Sequence, residues 1–335
     1  MPKVSVIVPC YNEQATIRLL LDAIYTQTFP LYDIEVIIAD GQSTDNTRVE
    51  ISSFQRQRPE MVVSVVENLQ RVIPSGLNRA IEVAQGEFII RMDAHSIPAP
   101  DYIETSVKAL QSGSGDSVGG VWQIRPGATT GLARAIAVAA SHPLGVGDAL
   151  YRIGSHAQEV DTVPFGAFSR GLVDRIGMFD ETLLTNEDYE FNVRVRQSGG
   201  KIWLDPAIRS TYFARATLRE LSNQYWRYGY WKAQMLLRYP KTLRWRQALP
   251  PLFVITLIGF GILSIGLPFV RWLLAVEVLV YTTVLLCIGI QMSIKNKDAA
   301  LLLGVPIAIA TMHLTWGIAL LWGLINPASK INKKT

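Results

Sequence analysis

Charged residues are scarce in this 335-residue chain, at 18%, where a globular domain carries about 25%. Cysteine is almost missing: Cys10 and Cys287 are the only two, too few for a disulfide framework and without zinc-type spacing. Glycine-rich phosphate cradles are missing as well. No G-x-G-x-x-G follows the first apolar stretch and no G-x-x-x-x-G-K-[ST] occurs, which removes the dinucleotide and P-loop readings. The opening MPKVSVIVPCYNE has one basic residue and reaches Pro9 after too short an apolar run for a signal peptide. The N-terminal part is therefore expected to stay in the cytosol. With 49% hydrophobic residues, disorder and low-complexity scaffolds are excluded.

The apolar residues concentrate at the C-terminal end. Ala248 to Val270, Trp272 to Ile294 and Ala299 to Ile325 run almost without charge, each near the ~20 residues a helix needs to cross ~30 Å of hydrocarbon. Three spans are expected. Pro250, Pro251 and Pro268 leave the first run open to being a re-entrant or tilted hairpin arm. Three spans after a cytosolic domain put Lys330, Lys333 and Lys334 outside, against the positive-inside tendency. The net charge of +4 is also uneven. Between Arg215 and Arg246 a run of Arg and Lys is opposed by Glu220 alone and interleaved with Tyr225, Trp226, Tyr228, Tyr230, Trp231, Tyr239 and Trp245. That mixture beside apolar spans suits a headgroup interface and its anionic lipids. Membrane lipids are thus the expected partner of this stretch, and nucleic acid is not.

The rest reads as an alternation of strands and helices. Val4–Val8, Ile34–Ala39, Met61–Val66 and Phe88–Met92 are apolar strand runs, and Ala15–Thr26, Leu77–Ala84 and Tyr189–Gln197 have helical patterning. Alternation predicts an α/β fold with a largely parallel sheet and ligands at the strands' carboxyl ends. Three polar clusters fall there: Tyr11-Asn12-Glu13, Asp40-Gly41, and Asp93 with His95. A D-x-H in extended backbone can turn a carboxylate and an imidazole to one ion, with substrate phosphates completing the shell of Mg²⁺ or Mn²⁺. The imidazole shifts the preference toward Mn²⁺.

At this point the segments VSVIVPCYNE, IIADGQSTDNT, PSGLNRAIEVAQGEFIIRMDAH, GMFDE at Gly177–Glu181 and NEDYEFNVRVRQSGG at Asn186–Gly200 resemble family-2 glycosyltransferases of GT-A fold. The MDAHS variant, the NQYWRYGYWK stretch and the C-terminal anchor are similar to the succinoglycan glucosyltransferase type within it. The resemblance implies a GT-A-type, Rossmann-like catalytic domain at 1–214 with a mostly parallel sheet. A basic aromatic neck at 215–248 and a membrane anchor at 249–327 follow. It also implies roles. Pro9, Tyr11 and Glu13 line the nucleoside pocket, Asp40 accepts from a uracil ring, and Arg71 and Asn78 contact the nucleotide-sugar. Asp93 ligates the divalent ion. His95 stands where the family has a second carboxylate, so its ligand role and the metal's identity stay open.

Asp188 matches the family's catalytic base, with Glu187 as a second carboxylate beside it. Inverting transfer uses such a base while a metal stabilises the leaving diphosphate. Gln224, Arg227 and Tyr228 resemble a degenerate Q-x-x-R-W motif for acceptor or diphosphate, with Tyr228 where Trp is usual, which argues against processive synthesis. The partners implied are a UDP-sugar donor, a polyprenyl-linked acceptor and other glycan-assembly enzymes. Two alternatives stay open: a polyprenyl-phosphate glycosyl synthase, and a non-catalytic membrane adaptor.

Overall fold

The computed structural model describes residues 1–154 and 156–328; Lys330, Lys333 and Lys334 lie outside them. The elements are, in order, β1 (Val4–Cys10), α1 (Ile17–Tyr25), β2 (Ile34–Asp40), α2 (Thr47–Gln57), β3 (Val62–Glu67), α3 (Ile73–Val83), β4 (Phe88–Arg91), β5 (Ile97–Pro98), α4 (Tyr102–Gln111), β6 (Ser117–Arg125), α5 (Gly131–Ala139), α6 (Pro143–Val146), α7 (Leu150–Ile153), β7 (Gln158–Glu159), β8 (Ala167–Ser169), α8 (Arg170–Ile176), α9 (Glu187–Gln197), β9 (Ile202–Phe213), α10 (Leu218–Arg238), α11 (Trp245–Gly266), α12 (Val270–Asn296) and α13 (Leu301–Ile325). Contacts group them into two compact units, residues 1–123 with 153–212, and residues 124–152 with 213 onward.

In the first unit the strands form one sheet in the order β3-β2-β1-β4-β8-β6-β9-β5, with β7 on β9. β1 to β4 pair parallel, and the strands added from β8 onward pair antiparallel at β4–β8, β6–β8 and β5–β9. The mostly parallel, Rossmann-like sheet is as expected. Every residue of β2 is buried, the mark of a central strand covered on both faces. α1 lays Ile17, Leu20, Leu21 and Ile24 on that core, and each such side chain contributes roughly 1.5–3 kcal/mol on burial. α3 starts at Ile73, earlier than the Leu77 of the sequence reading. Pro74 sits in its first turn, where a missing N–H costs nothing.

The second unit is helical. α11, α12 and α13 are each long and apolar enough to cross a membrane. The neck is helix rather than linker: Thr217 caps α10 by accepting from the Glu220 N–H, and Trp245 already begins α11. Division by sequence order places 124–152 with the catalytic part, whereas the contacts group it with the helices. α5 is apolar on a face that packs with Leu301, Val305 and Ala308 of α13. Arg134 adds an ion pair to Asp298 at 2.6 Å. Gly304 permits the approach, because a Cβ there would meet that of Ala135 at 2.5 Å.

Candidate active site

The register that pairs Cys10 with Asp40 brings the loops after β1 and β2 together. Asn12, in left-handed backbone at φ 55°, donates its N–H to Ser43 Oγ at 2.9 Å and accepts from the Thr44 N–H at 2.8 Å. Tyr11 is 45% exposed and its ring edges Gly41, where a side chain would come within 3.3 Å of it. An exposed aromatic face at a strand end can take a planar base. Pro9, one pair before the end of β1, packs near Gly76 of α3.

Asp40 is engaged within the fold. Its side chain is fully buried, accepting from Ser43 Oγ at 2.6 Å and Arg48 Nε at 2.5 Å. A uracil ring would reach it only by displacing Arg48, so its evident task is to hold the 41–44 turn. Asn78 is likewise engaged. Its amide donates to Phe179 O and Glu181 Oε1 and accepts from the Phe179 N–H, pinning the GMFDE loop to α3. Arg71 is exposed and bonds Gln42 Oε1 at 2.7 Å, leaving its guanidinium at the loop's rim.

After β4 the chain turns at Asp93, whose carbonyl accepts from the Ser96 N–H at 2.9 Å and Ser96 Oγ at 2.7 Å. The Asp93 carboxylate is a quarter exposed. Glu13 Oε1 lies 3.0 Å from His95 Nδ1. A carboxylate only accepts, so Nδ1 is the donor, the second-shell arrangement common behind metal-bound imidazoles. Glu13 is fixed in turn by Thr16 Oγ1. Among the described residues no group of three or more His, Cys, Asp and Glu is arranged to hold an ion. Asp93 and His95, both partly exposed, fit an ion whose remaining ligands are phosphate oxygens and water.

Sequence reasoning missed Arg91. It closes an apolar strand and is 5% exposed. Its Nη2 lies 2.8 Å from Glu187 Oε1 and 3.3 Å from Asp93 Oδ1, so one guanidinium joins the D-x-H turn to the start of α9. Burial disfavours its charge, but Glu187, Asp93 and Asp188 more than offset that, and it remains a cation. Among the described residues its Nε and Nη1 have no partner, nor has the buried Ser117 Oγ. Both residues line a cavity of ≈ 10 Å³ together with Asp188 and Asn192, room for about one water. The available signal was a lone charge at the end of an apolar strand, two residues from Asp93.

Asn186, at φ 68°, turns the chain into α9. Glu187 is buried against Arg91, and burial first, then the neighbouring Asp188 and Asp93, push its carboxyl up to about 7 against the pull of Arg91. A buried, ion-paired Glu187 is not presented to an acceptor. Asp188 is half-buried, lines the cavity and accepts from the Tyr189 N–H at 2.7 Å. The structure thus brings Tyr11, Glu13, Asp93, His95, Glu187 and Asp188 to one end of the sheet in the first unit. Gln224, Arg227 and Tyr228 belong to α10 of the second. There Gln224 Nε2 donates to Tyr228 Oη at 2.9 Å, and Arg227 is exposed.

The profile of the family described as Glycosyl transferase family 2 matches residues 5–177, through β1, the D-x-H turn and α8. The chain belongs to glycosyl transferase family 2. The succinoglycan biosynthesis protein ExoA of Rhizobium meliloti (strain 1021) is 30% identical over 313 residues, 93% of this chain and 92% of that protein. A dolichyl N-acetyl-alpha-D-glucosaminyl phosphate 3-beta-D-2,3-diacetamido-2,3-dideoxy-beta-D-glucuronosyltransferase of Methanococcus voltae is 26% identical over 96% of this chain and 97% of its own length. Among solved structures, the mannosyltransferase PcManGT of Pyrobaculum calidifontis, in complex with GDP-Man and Mn²⁺, superposes with a TM-score of 0.60 at 21% identity. That likeness covers 96% of this chain and 87% of that one, and it establishes the fold.

Proposed function

We propose that this family 2 glycosyltransferase moves a hexose, glucose favoured, from a UDP-sugar to a polyprenyl-linked saccharide with inversion at the anomeric carbon. The observation that carries the reading is the Arg91 bridge. It ties a D-x-H turn suited to a donor diphosphate to a helix N-terminus that presents Asp188. Asp188 takes the proton of the acceptor hydroxyl as that oxygen attacks the anomeric carbon, and UDP leaves from the opposite face. Asp93 and His95 would hold a divalent ion, Mn²⁺ favoured by the imidazole, which when bound offsets the charge gathering on the diphosphate. Tyr11 offers its ring to the base, and Arg71 stands at the rim for the nucleotide-sugar. The similarity to ExoA and to a transferase named for a dolichyl-linked acceptor supports a lipid-linked acceptor. Such an acceptor never leaves the bilayer, which gives apolar helices on the same chain their use: they hold enzyme and acceptor on one surface, the cytosolic face of the cell membrane. There Gln224, Arg227 and Tyr228 are available for the acceptor or its diphosphate.

Asp188→Asn is the direct test. Transfer to lipid extract should fall by roughly 10²–10⁴-fold, the usual contribution of a positioned base, with UDP binding by calorimetry nearly unchanged. Retained turnover would refute the base and point to an acceptor that is already ionised, such as a lipid phosphate. Labelled UDP- and GDP-sugars offered side by side, with lipid-extractable label as readout, identify the donor.

A further inference from the structure

We infer that a single water molecule, held between Arg91 and Ser117, hydrogen-bonds Asp188 from behind and aims it at the acceptor hydroxyl. Ser117 is thereby a positioning residue for transfer, an inference that rests on the base role proposed for Asp188. It starts from the register of the sheet. β4 pairs with β8 as Ile90 with Ala167, and the Arg91 N–H donates to Gly166 O at 3.2 Å. β6 pairs with β8 as Ser117 with Phe168. Residues opposite each other on paired strands share a face of the sheet, as do residues two apart on one strand. Arg91, Gly166, Phe168 and Ser117 therefore lie on one face. α9 covers that face, with the Phe191 ring 4.9 Å from the Phe168 ring. Gly166 puts no side chain between Arg91 and Ser117, and the cavity of ≈ 10 Å³ beside Asp188 is the space it leaves.

The chemistry of the walls selects the occupant. Arg91 is 5% and Ser117 1% exposed, and among the described residues Arg91 Nε, Arg91 Nη1 and Ser117 Oγ lack a partner. Buried polar groups left dry are costly. A cation in the cavity would meet Arg91, an anion would meet Asp188, and the volume admits nothing larger than one water. A buried water needs room of about one probe sphere and roughly 2–4 polar partners, and the cavity supplies both. A guanidinium only donates, whereas water accepts as well as donates. The water takes a hydrogen bond from Arg91, exchanges one with Ser117 Oγ and gives one to the Asp188 carboxylate. Its use to the reaction follows from how that carboxylate is otherwise held. The Tyr189 N–H that donates to Asp188 Oδ1 at 2.7 Å belongs to the next residue of the same helix, so it moves with the base. The water ties the base to the sheet. Misplacement of a reacting group by ~1 Å costs about 10²-fold in rate, which makes such a tie worth having.

The test uses the full-length enzyme in detergent, with UDP-glucose as donor and lipid extract as the source of acceptor. Ser117→Ala removes one arm of the bridge and should lower kcat about 3–10-fold, with KM for the donor within about twofold. Gly166→Ala fills the cavity, since its Cβ would lie 3.1 Å from Ser117 Oγ, and should lower kcat at least as far. That contact also crowds the sheet, so the deciding variant carries both substitutions. Loss of Oγ relieves the crowding and Tm returns toward wild type, but the added methyl still occupies the water's place and kcat stays low. Recovery of kcat together with Tm would mean that crowding alone was at work and would overturn the proposal. Ser117→Ala with the wild-type kcat would do the same. A second readout needs no turnover: a high-resolution density map of the wild type should show a peak between Arg91 and Ser117 that is missing from Gly166→Ala. An empty wild-type cavity ends the proposal even where Asp188→Asn has established the base. A wild type inactive on UDP-glucose counts against the donor assignment instead, and the map then decides the water by itself.

Discussion

Glu187 offers a measurement whose sign and size both follow from its surroundings. It is 4% exposed, 2.8 Å from Arg91, and burial outweighs that partner, raising its carboxyl from 4.5 to about 7. Between those values the folded protein holds a proton that the unfolded chain releases. Protonation therefore stabilises the fold at and below the lower value, and the contribution is lost as pH rises through about 7. At ~1.36 kcal/mol per pH unit the full effect is about 3 kcal/mol. For a folding unit of about 150–250 residues that corresponds to roughly 6–12 °C in Tm. Thermal unfolding of the full-length protein in detergent at pH 5 and pH 8 reads it. Glu187→Gln cannot titrate, so the difference between wild type and variant cancels every other group. The wild type should lose roughly 6–12 °C relative to the variant between the two pH values. A difference that stays constant would show that Arg91 keeps Glu187 ionised throughout, and the balance of burial over ion pairing would be refuted.

Three further outcomes are expected. Arg91→Lys keeps the charge but loses the planar fork that reaches two carboxylates. It should lower kcat by about tenfold or more, the worth of one charge-assisted hydrogen bond at ~1.5–3 kcal/mol, and weaken Mn²⁺ binding measured by titration; unchanged kcat and affinity would remove the bridge from the reaction. His95→Asp should keep metal-dependent turnover and move the ratio of rates in Mg²⁺ and Mn²⁺ toward Mg²⁺, and an unmoved ratio would take His95 out of the metal shell. Gly304→Leu forces α5 from α13 and should cost about 1–3 kcal/mol by overpacking, seen as a lower Tm or as aggregation on size exclusion.

The parallel half of the sheet was readable because buried parallel strands are continuous apolar runs, as in Ile34–Ala39, and because polar residues cluster where those runs end. The family motifs single out Asp93, His95 and Asp188, which lie at one end of the sheet in the fold. Arg91 escaped because a charge at a strand end reads as solvated; only the return of Glu187 across 96 residues of sequence shows that it is buried and paired. Asp40 and Asn78 were legible as site residues but not as engaged ones, since Arg48 and Phe179 reach them through folding. Of the antiparallel strands, Ile97–Pro98 and Ala167–Ser169 are too short to show a local period, and they pair with distant partners. α5 was invisible as part of the helical unit: nine residues rich in alanine carry no membrane signal until α13 lies against them.

That pairing of α5 with α13 has a consequence in time. About 170 residues separate Gly131 from Leu301, so at ~5–20 residues per second the ribosome needs roughly 8–34 s to supply the partner. Until then Ala135, Ile136 and Ala139 lack the Leu301, Val305 and Ala308 side chains that complete their cluster, although the strands on either side of α5 in the chain have already been made. A fragment cut before α11 never receives the missing helix and should be insoluble, however complete its catalytic residues. Synthesis of α13 and closure of the helical unit are in this chain a single event.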